Sequence, residues 1–145
     1  MILDGHIHIM GNTDAKLFQQ SLHQAGIDGG GVLSLPPLAF GSGYNRSFLY
    51  RLQNLLGITE AVENTYPYFW IDPLEKDAVE QVDEAVKQGI SAFKIICVDD
   101  YPDNQNAMKV YRRMAHHGKP VLFHSGIIWN DKDLHIDWQL GGATE

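Results

Sequence analysis

Apolar residues recur along this chain in two alternating periods. Short runs of β-branched and aromatic residues predict strands over residues 2–9, 32–35, 66–71, 92–96 and 121–124. Between them the apolar positions move to helical spacing. One helix is expected from the turn and cap at 11–14 to about Gln24, and a second over 46–56, capped by Asn45, with Phe48, Leu49, Leu52 and Leu55 on one face. A third is expected over 77–88 and a fourth over 105–117, capped by Asn104. Gly26, Gly89 and Gly118 each stand between a helix and the approach to a strand, where glycine closes a helix at low steric cost. Gly29-Gly30-Gly31 reads as the lead into strand two, and residues 36–45 as a loop rich in Gly and Pro.

Strands alternating with amphipathic helices imply an α/β fold with a parallel sheet, because parallel neighbours need a crossover helix. A complete (β/α)8 barrel takes about 250 residues, so a chain of this length holds roughly four and a half of its units. The expectation is therefore a partial TIM-type barrel of about five parallel strands and four helices over 1–126, with an irregular C-terminal tail over 127–145. A five-stranded doubly wound sheet is the structural rival. It lacks a Gly-rich phosphate loop after strand one, which weakens any nucleotide-binding version of it.

Composition narrows the partners. A formal charge of −7 with no basic patch speaks against nucleic acid and anionic membrane surfaces. The N-terminus alternates polar with apolar residues, unlike a signal peptide, and no run reaches the roughly 20 apolar residues that span a bilayer. The single cysteine, Cys97, rules out an intrachain disulfide framework and reads as a small buried hydrophobe; a cytoplasmic setting is expected.

The candidate chemistry begins on strand one. Asp4, His6 and His8 are spaced two apart, so their side chains leave one face of the strand. Two neutral imidazoles from one strand can reach a single borderline cation at about 2.0–2.1 Å. His124 falls at the end of predicted strand five and Lys94 on strand four. In a barrel, active sites are built at these C-terminal strand ends. His116 and His117 close a helix and read as structural, and His23 as helix surface.

The segments Asp4-Gly-His6-Ile-His8, Gly89-Ile-Ser-Ala-Phe-Lys94-Ile and Pro120-Val-Leu-Phe-His124-Ser-Gly126 resemble the amidohydrolase superfamily, in particular the branch called amidohydrolase family 2. The resemblance spans residues 2 to about 126. It implies His6, His8 and His124 as ligands of a divalent metal, zinc first, with iron or manganese as alternatives. It likens Lys94 to a strand-four lysine that some members carboxylate; binding a substrate carboxylate is the other reading of that residue. The implied activity is metal-dependent hydrolysis of an amide, ester or lactone of a small molecule, with metal-dependent decarboxylation as the alternative. Phosphoester chemistry of the PHP or TatD-like kind, which shares Asp-x-His-x-His, ranks third because strand four carries lysine in place of glutamate.

The family pattern continues with a strand-six histidine and a strand-eight aspartate that this chain lacks; His135 and Asp137 read as solvated tail. A sheet open at both edges invites a homo-oligomer or a complementing chain, and a non-catalytic truncated half-barrel is the reading of a different class. Asp4 is expected to assist catalysis by orienting a ligand or a turn. Arg46, Tyr44 and Phe40 in the loop after strand two, with Trp129, are the candidate substrate contacts, Arg46 being suited to a carboxylate. Asp99, Asp100 and Tyr101 follow strand four and read mainly as a solvated loop.

Overall fold

The computed structural model describes residues 1–40, 46–97 and 101–125. Its strands are β1 Leu3–His8, β2 Gly29–Leu33, β3 Thr65–Trp70, β4 Ala92–Ile95 and β5 Val121–Phe123. Its α-helices are α1 Ala15–Gln24, α2 Phe48–Ala61, α3 Ala78–Lys87 and α4 Gln105–His116, and a 3-10 turn covers Leu38–Phe40. All five strands pair in parallel in the order β1-β2-β3-β4-β5, and the sheet curls into a half-barrel. This is the α/β alternation expected from the hydrophobic periods. The expected tail over 127–145 lies outside the described residues.

Local chemistry explains most boundaries. The Asp14 carboxylate accepts from the Leu17 amide at 2.9 Å and starts α1; Asn104 accepts from Asn106 and starts α4. Gly26, Gly89 and Gly118 all take positive φ after α1, α3 and α4, as their spacing predicts. The second helix departs from expectation at both ends. Asn45 lies outside the described residues, and the cap is Ser47, whose side chain accepts from Tyr50. The helix also runs on through Gly57 to Ala61, because Ile58 and Val62 are buried on the core; that gain exceeds the roughly 0.5–1 kcal/mol that glycine costs inside a helix. Leu49 is 56% exposed and does not share the buried face, which consists of Arg51, Leu52, Leu55 and Ile58.

The glycine triplet belongs to β2 and does not merely precede it. Strand interiors ordinarily disfavour glycine, but a Cβ at Gly30 would strike the backbone of Asp4 on β1, and its φ is 154°. Close approach to β1 therefore excludes any larger residue there.

Period-two alternation splits the sheet into two chemistries. Val32, Phe69, Phe93 and Ile95 join Leu52, Leu55, Val82, Val110 and Met114 in one buried cluster between sheet and helices. Cys97 is buried beside them. No described helix is long and apolar enough to cross a membrane.

An ion-pair clamp joins α3 to α4. Asp83 accepts from Arg113 Nε at 2.6 Å and Nη2 at 2.9 Å, and His117 Nε2 lies 2.8 Å from the same carboxylate. His117 thus has a structural role at the helix end, while His116 and His23 are exposed. The hydrogen bonds from Arg113 and then His117 hold the Asp83 carboxyl down to about 2. Because the folded value lies below the unfolded one, the clamp's stabilisation is complete above the ordinary 3.8 and is lost as pH falls through about 2. With Asp83 partly exposed, Asp83→Asn should cost only about 0.5–1 kcal/mol at pH 7. Urea denaturation across a pH series should show wild type and variant converging in acid; a gap that persists below pH 2 would contradict the clamp.

Candidate metal centre

The other face of the sheet, at the C-terminal rim, holds a cavity of about 470 Å³. Every strand or its C-terminal exit contributes to it. His6 and His8 come from β1, Leu35 and Pro36 from just after β2, Trp70 from the end of β3, Lys94 and Ile96 from β4 and its exit, and His124 from just after β5. Phe40 of the 3-10 turn closes one side. Of the residues expected to carry chemistry, His6, His8, Lys94 and His124 are therefore brought together.

Backbone bonding sets their directions. The register between β1 and β2 shifts between Asp4 and Ile7, and within that irregularity the Asp4 carboxylate accepts from the His6 amide at 2.9 Å. Asp4 thus fixes the backbone that presents the histidines. The His6 and His8 ring centroids are 4.8 Å apart, and His8 lies edge-on to Trp70 at 5.8 Å. Trp70 packs edge-on to Phe40 at 4.7 Å. The His124 amide donates to Ile95 O at 2.9 Å, which extends the β4–β5 pairing and holds its ring at the rim.

Electrostatics keeps the imidazoles neutral. Burial, then the Lys94 charge, lower His6, with Asp4 pulling the other way. His8 is lowered by burial and then by His6, Lys94 and His124; His124 is lowered by burial, Lys94 and His6. Neutral imidazole is the ligating form. Among the described residues the Nε2 atom of His124 is buried without a hydrogen-bond partner, a costly condition that a bound cation or a ring rotation would relieve. Among the described residues no three His, Cys, Asp or Glu side chains stand close enough to hold an ion as they are placed. The donor set fits a borderline divalent cation in kind, and gathering it around one ion calls for rotation of the rings.

Lys94 is 1% exposed and makes no ion pair among the described residues. Burial alone pushes its ammonium down to about 8. It is the one lysine, arginine or carboxylate side chain among the described residues lining this cavity.

Other candidates lie elsewhere. Arg46 stacks over the Tyr50 ring at 5.4 Å and lines a separate cavity, away from the histidines. The Tyr44 and Trp129 candidates, with Asp99, Asp100, His135 and Asp137, lie outside the described residues; Tyr101 is 57% exposed. Two residues that the sequence does not single out also shape the site. Trp70 reads there only as part of strand three, and its terminal position is the available signal. Arg51 reads as one more position of an amphipathic helix, yet it is buried, and its Nη1 donates to Trp70 O at 2.6 Å and Leu35 O at 3.4 Å behind the cavity wall.

No protein-family model, curated protein or solved structure matches this chain.

The lowered proton affinity of Lys94 has a sign that can be measured. Its folded value lies below the ordinary 10.5, so it penalises folding below about pH 8, and the penalty fades as pH rises toward 10.5. In metal-free protein, Lys94→Met should raise unfolding free energy at pH 7 by about 2–3 kcal/mol, because each tenfold change in proton affinity is worth roughly 1.4 kcal/mol. The advantage should shrink by pH 10; equal stabilisation at both pH values would show that the ammonium is not desolvated.

Proposed function

We propose that this chain carries the metal-binding part of an amidohydrolase-like (β/α)8 barrel, and that its activity is metal-dependent hydrolysis of an amide, ester or lactone in a small molecule. The observation that carries this reading is the convergence of His6 and His8 with His124 on one rim cavity beside a buried Lys94. Neutral nitrogen donors favour zinc, with iron or manganese as alternatives. When bound, such an ion supplies Lewis acidity, which acidifies water and polarises a carbonyl.

The chain's own residues have separable tasks. His6, His8 and His124 would hold the ion, and Asp4 positions the first two through the His6 amide. Trp70 and Phe40 give the substrate an apolar wall that excludes bulk water. Lys94 offers a positive charge where a carbonyl oxygen gains negative charge, and its low proton affinity lets it exchange a proton near neutral pH. The open outer edges of β1 and β5 in the described sheet suit a second copy or a complementing chain.

Decarboxylation is the second reading, favoured by one observation. A buried ammonium without a counter-ion among the described residues is suited to a substrate carboxylate. Both readings need the same histidines.

Metal content and turnover test them together. Purified protein should bind about one zinc per chain in calorimetry, and His6→Ala or His124→Ala should weaken binding at least 100-fold without loss of the folded circular dichroism spectrum. Zinc-loaded protein should turn over members of an amide, ester and lactone panel, and both variants should be inactive. Unchanged zinc affinity in the His6/His8/His124 triple variant would refute the centre; tight zinc binding without turnover of that panel or of aromatic and aliphatic carboxylates would refute the activity.

A further inference from the structure

A second cavity, of about 670 Å³, lies between the start of α2 and the loop joining β3 to α3. Its charged lining is balanced: Arg46, Arg51 and Lys76 against Asp72, Glu75 and Asp77. None of these six side chains forms an ion pair with another among the described residues. Arg46 and Arg51 stand on the side of α2, whose N-terminus at Ser47 also lines the cavity and adds a partial positive charge. The three carboxylates, with Lys76 among them, belong to the β3–α3 loop that leads to the start of α3.

Two buried side chains in this lining have unmet hydrogen-bonding capacity. Arg51 is 1% exposed, stacks over Phe69 at 4.9 Å and spends Nη1 on main-chain carbonyls, but its Nε has no partner among the described residues. Gln81 is 3% exposed; its amide nitrogen donates to Glu75 and Asp77, and Oε1 is buried with no partner among the described residues. Buried donors and acceptors left unpaired each cost about 1–3 kcal/mol, so two such side chains among the residues lining one cavity indicate a missing polar partner. A free donor on the cationic wall calls for an acceptor in the ligand. A free acceptor between carboxylates on the other wall calls for a cationic donor.

We infer that this cavity binds a small zwitterion of the amino-acid or short-peptide class, its carboxylate toward Arg46, Arg51 and the α2 N-terminus and its ammonium toward Gln81, Glu75 and Asp72. Equal numbers of opposite charges select against a ligand with net charge, because a simple anion or cation would leave one wall uncompensated. The inference is independent of the histidine cavity, which it does not use.

The test is calorimetry on the full chain with a panel of free α-amino acids and dipeptides. Each is matched to an N-acetyl form, which lacks the ammonium, and an amide form, which lacks the carboxylate. At least one parent compound should bind, and blocking either end should weaken it tenfold or more. Arg46→Ala, an exposed change that leaves the core intact, should weaken the parent at least tenfold yet leave the amide form unaffected; Asp72→Asn should likewise weaken the parent and leave the N-acetyl form unaffected. Absence of binding by every parent at millimolar concentration overturns the inference. So does equal binding of parent and blocked forms, or binding unchanged in both variants.

Discussion

Strand direction is the constraint on which the rest of this molecule depends. Each strand enters the sheet in the same sense, so each must be followed by a crossover that returns the chain to the starting edge. The C-terminal ends of all five strands then share one rim. Residues as distant in sequence as His8 and His124 meet there because a parallel ladder sets the strands side by side with their ends aligned. The same alternation that buries Val32, Phe69 and Phe93 under the helices places Trp70 and Lys94, the residues following Phe69 and Phe93 in β3 and β4, on the opposite face. Core and candidate site are two faces of one periodicity.

A polar knot behind the rim links the two cavities. Ser34 Oγ accepts from the Trp70 amide at 2.9 Å and donates to Leu35 O at 3.1 Å, while Arg51 donates to the carbonyls of Trp70 and Leu35. These main-chain groups lie where β2 and β3 leave the ladder, and buried carbonyls without donors would be expensive. One guanidinium serves two of them and draws the two strand ends together. Arg51 and the 3-10 turn both stand between the cavities: Leu38 and Ala39 line the charged one, and Phe40 lines the histidine one. Trp70, which accepts from Arg51 through its carbonyl, lies edge-on to His8 on the other side.

Much of the architecture can be read from local signals. Strand and helix alternation, the caps at Asp14 and Asn104 and the three closing glycines all depend on residues within a few positions of one another. What escapes such a reading depends on distant partners. Glycines in β2 are explained by the backbones of Asp4 and Asn64, and the passage of α2 through Gly57 by what Ile58 and Val62 touch. Leu49 leaves its expected buried face while Arg51 is buried for the same reason: helical spacing allows either face, and the carbonyls of Leu35 and Trp70 engage Arg51. At the rim, His6, His8, Lys94 and His124 are legible because strand-end placement follows from fold class alone. The walls supplied by Trp70 and Leu35 depend on curvature, which no local pattern encodes.

Lys94 joins stability to chemistry in one side chain. An isoleucine or valine in the middle of β4 would pack without desolvating a charge, so the ammonium is a net cost to the fold. Its field also helps hold the three neighbouring imidazoles neutral. Two effects of the same charge then oppose each other: it disfavours a cation at the histidines by direct repulsion, and it keeps their nitrogens free of protons that would compete with one. The balance shifts when an anion occupies the cavity, because a carboxylate beside Lys94 removes the repulsion while the burial that contributes to neutral imidazoles remains. On the proposed reading, an anion beside Lys94 would strengthen binding of a metal at the histidines by offsetting the ammonium charge, and by reciprocity the metal would strengthen binding of the anion.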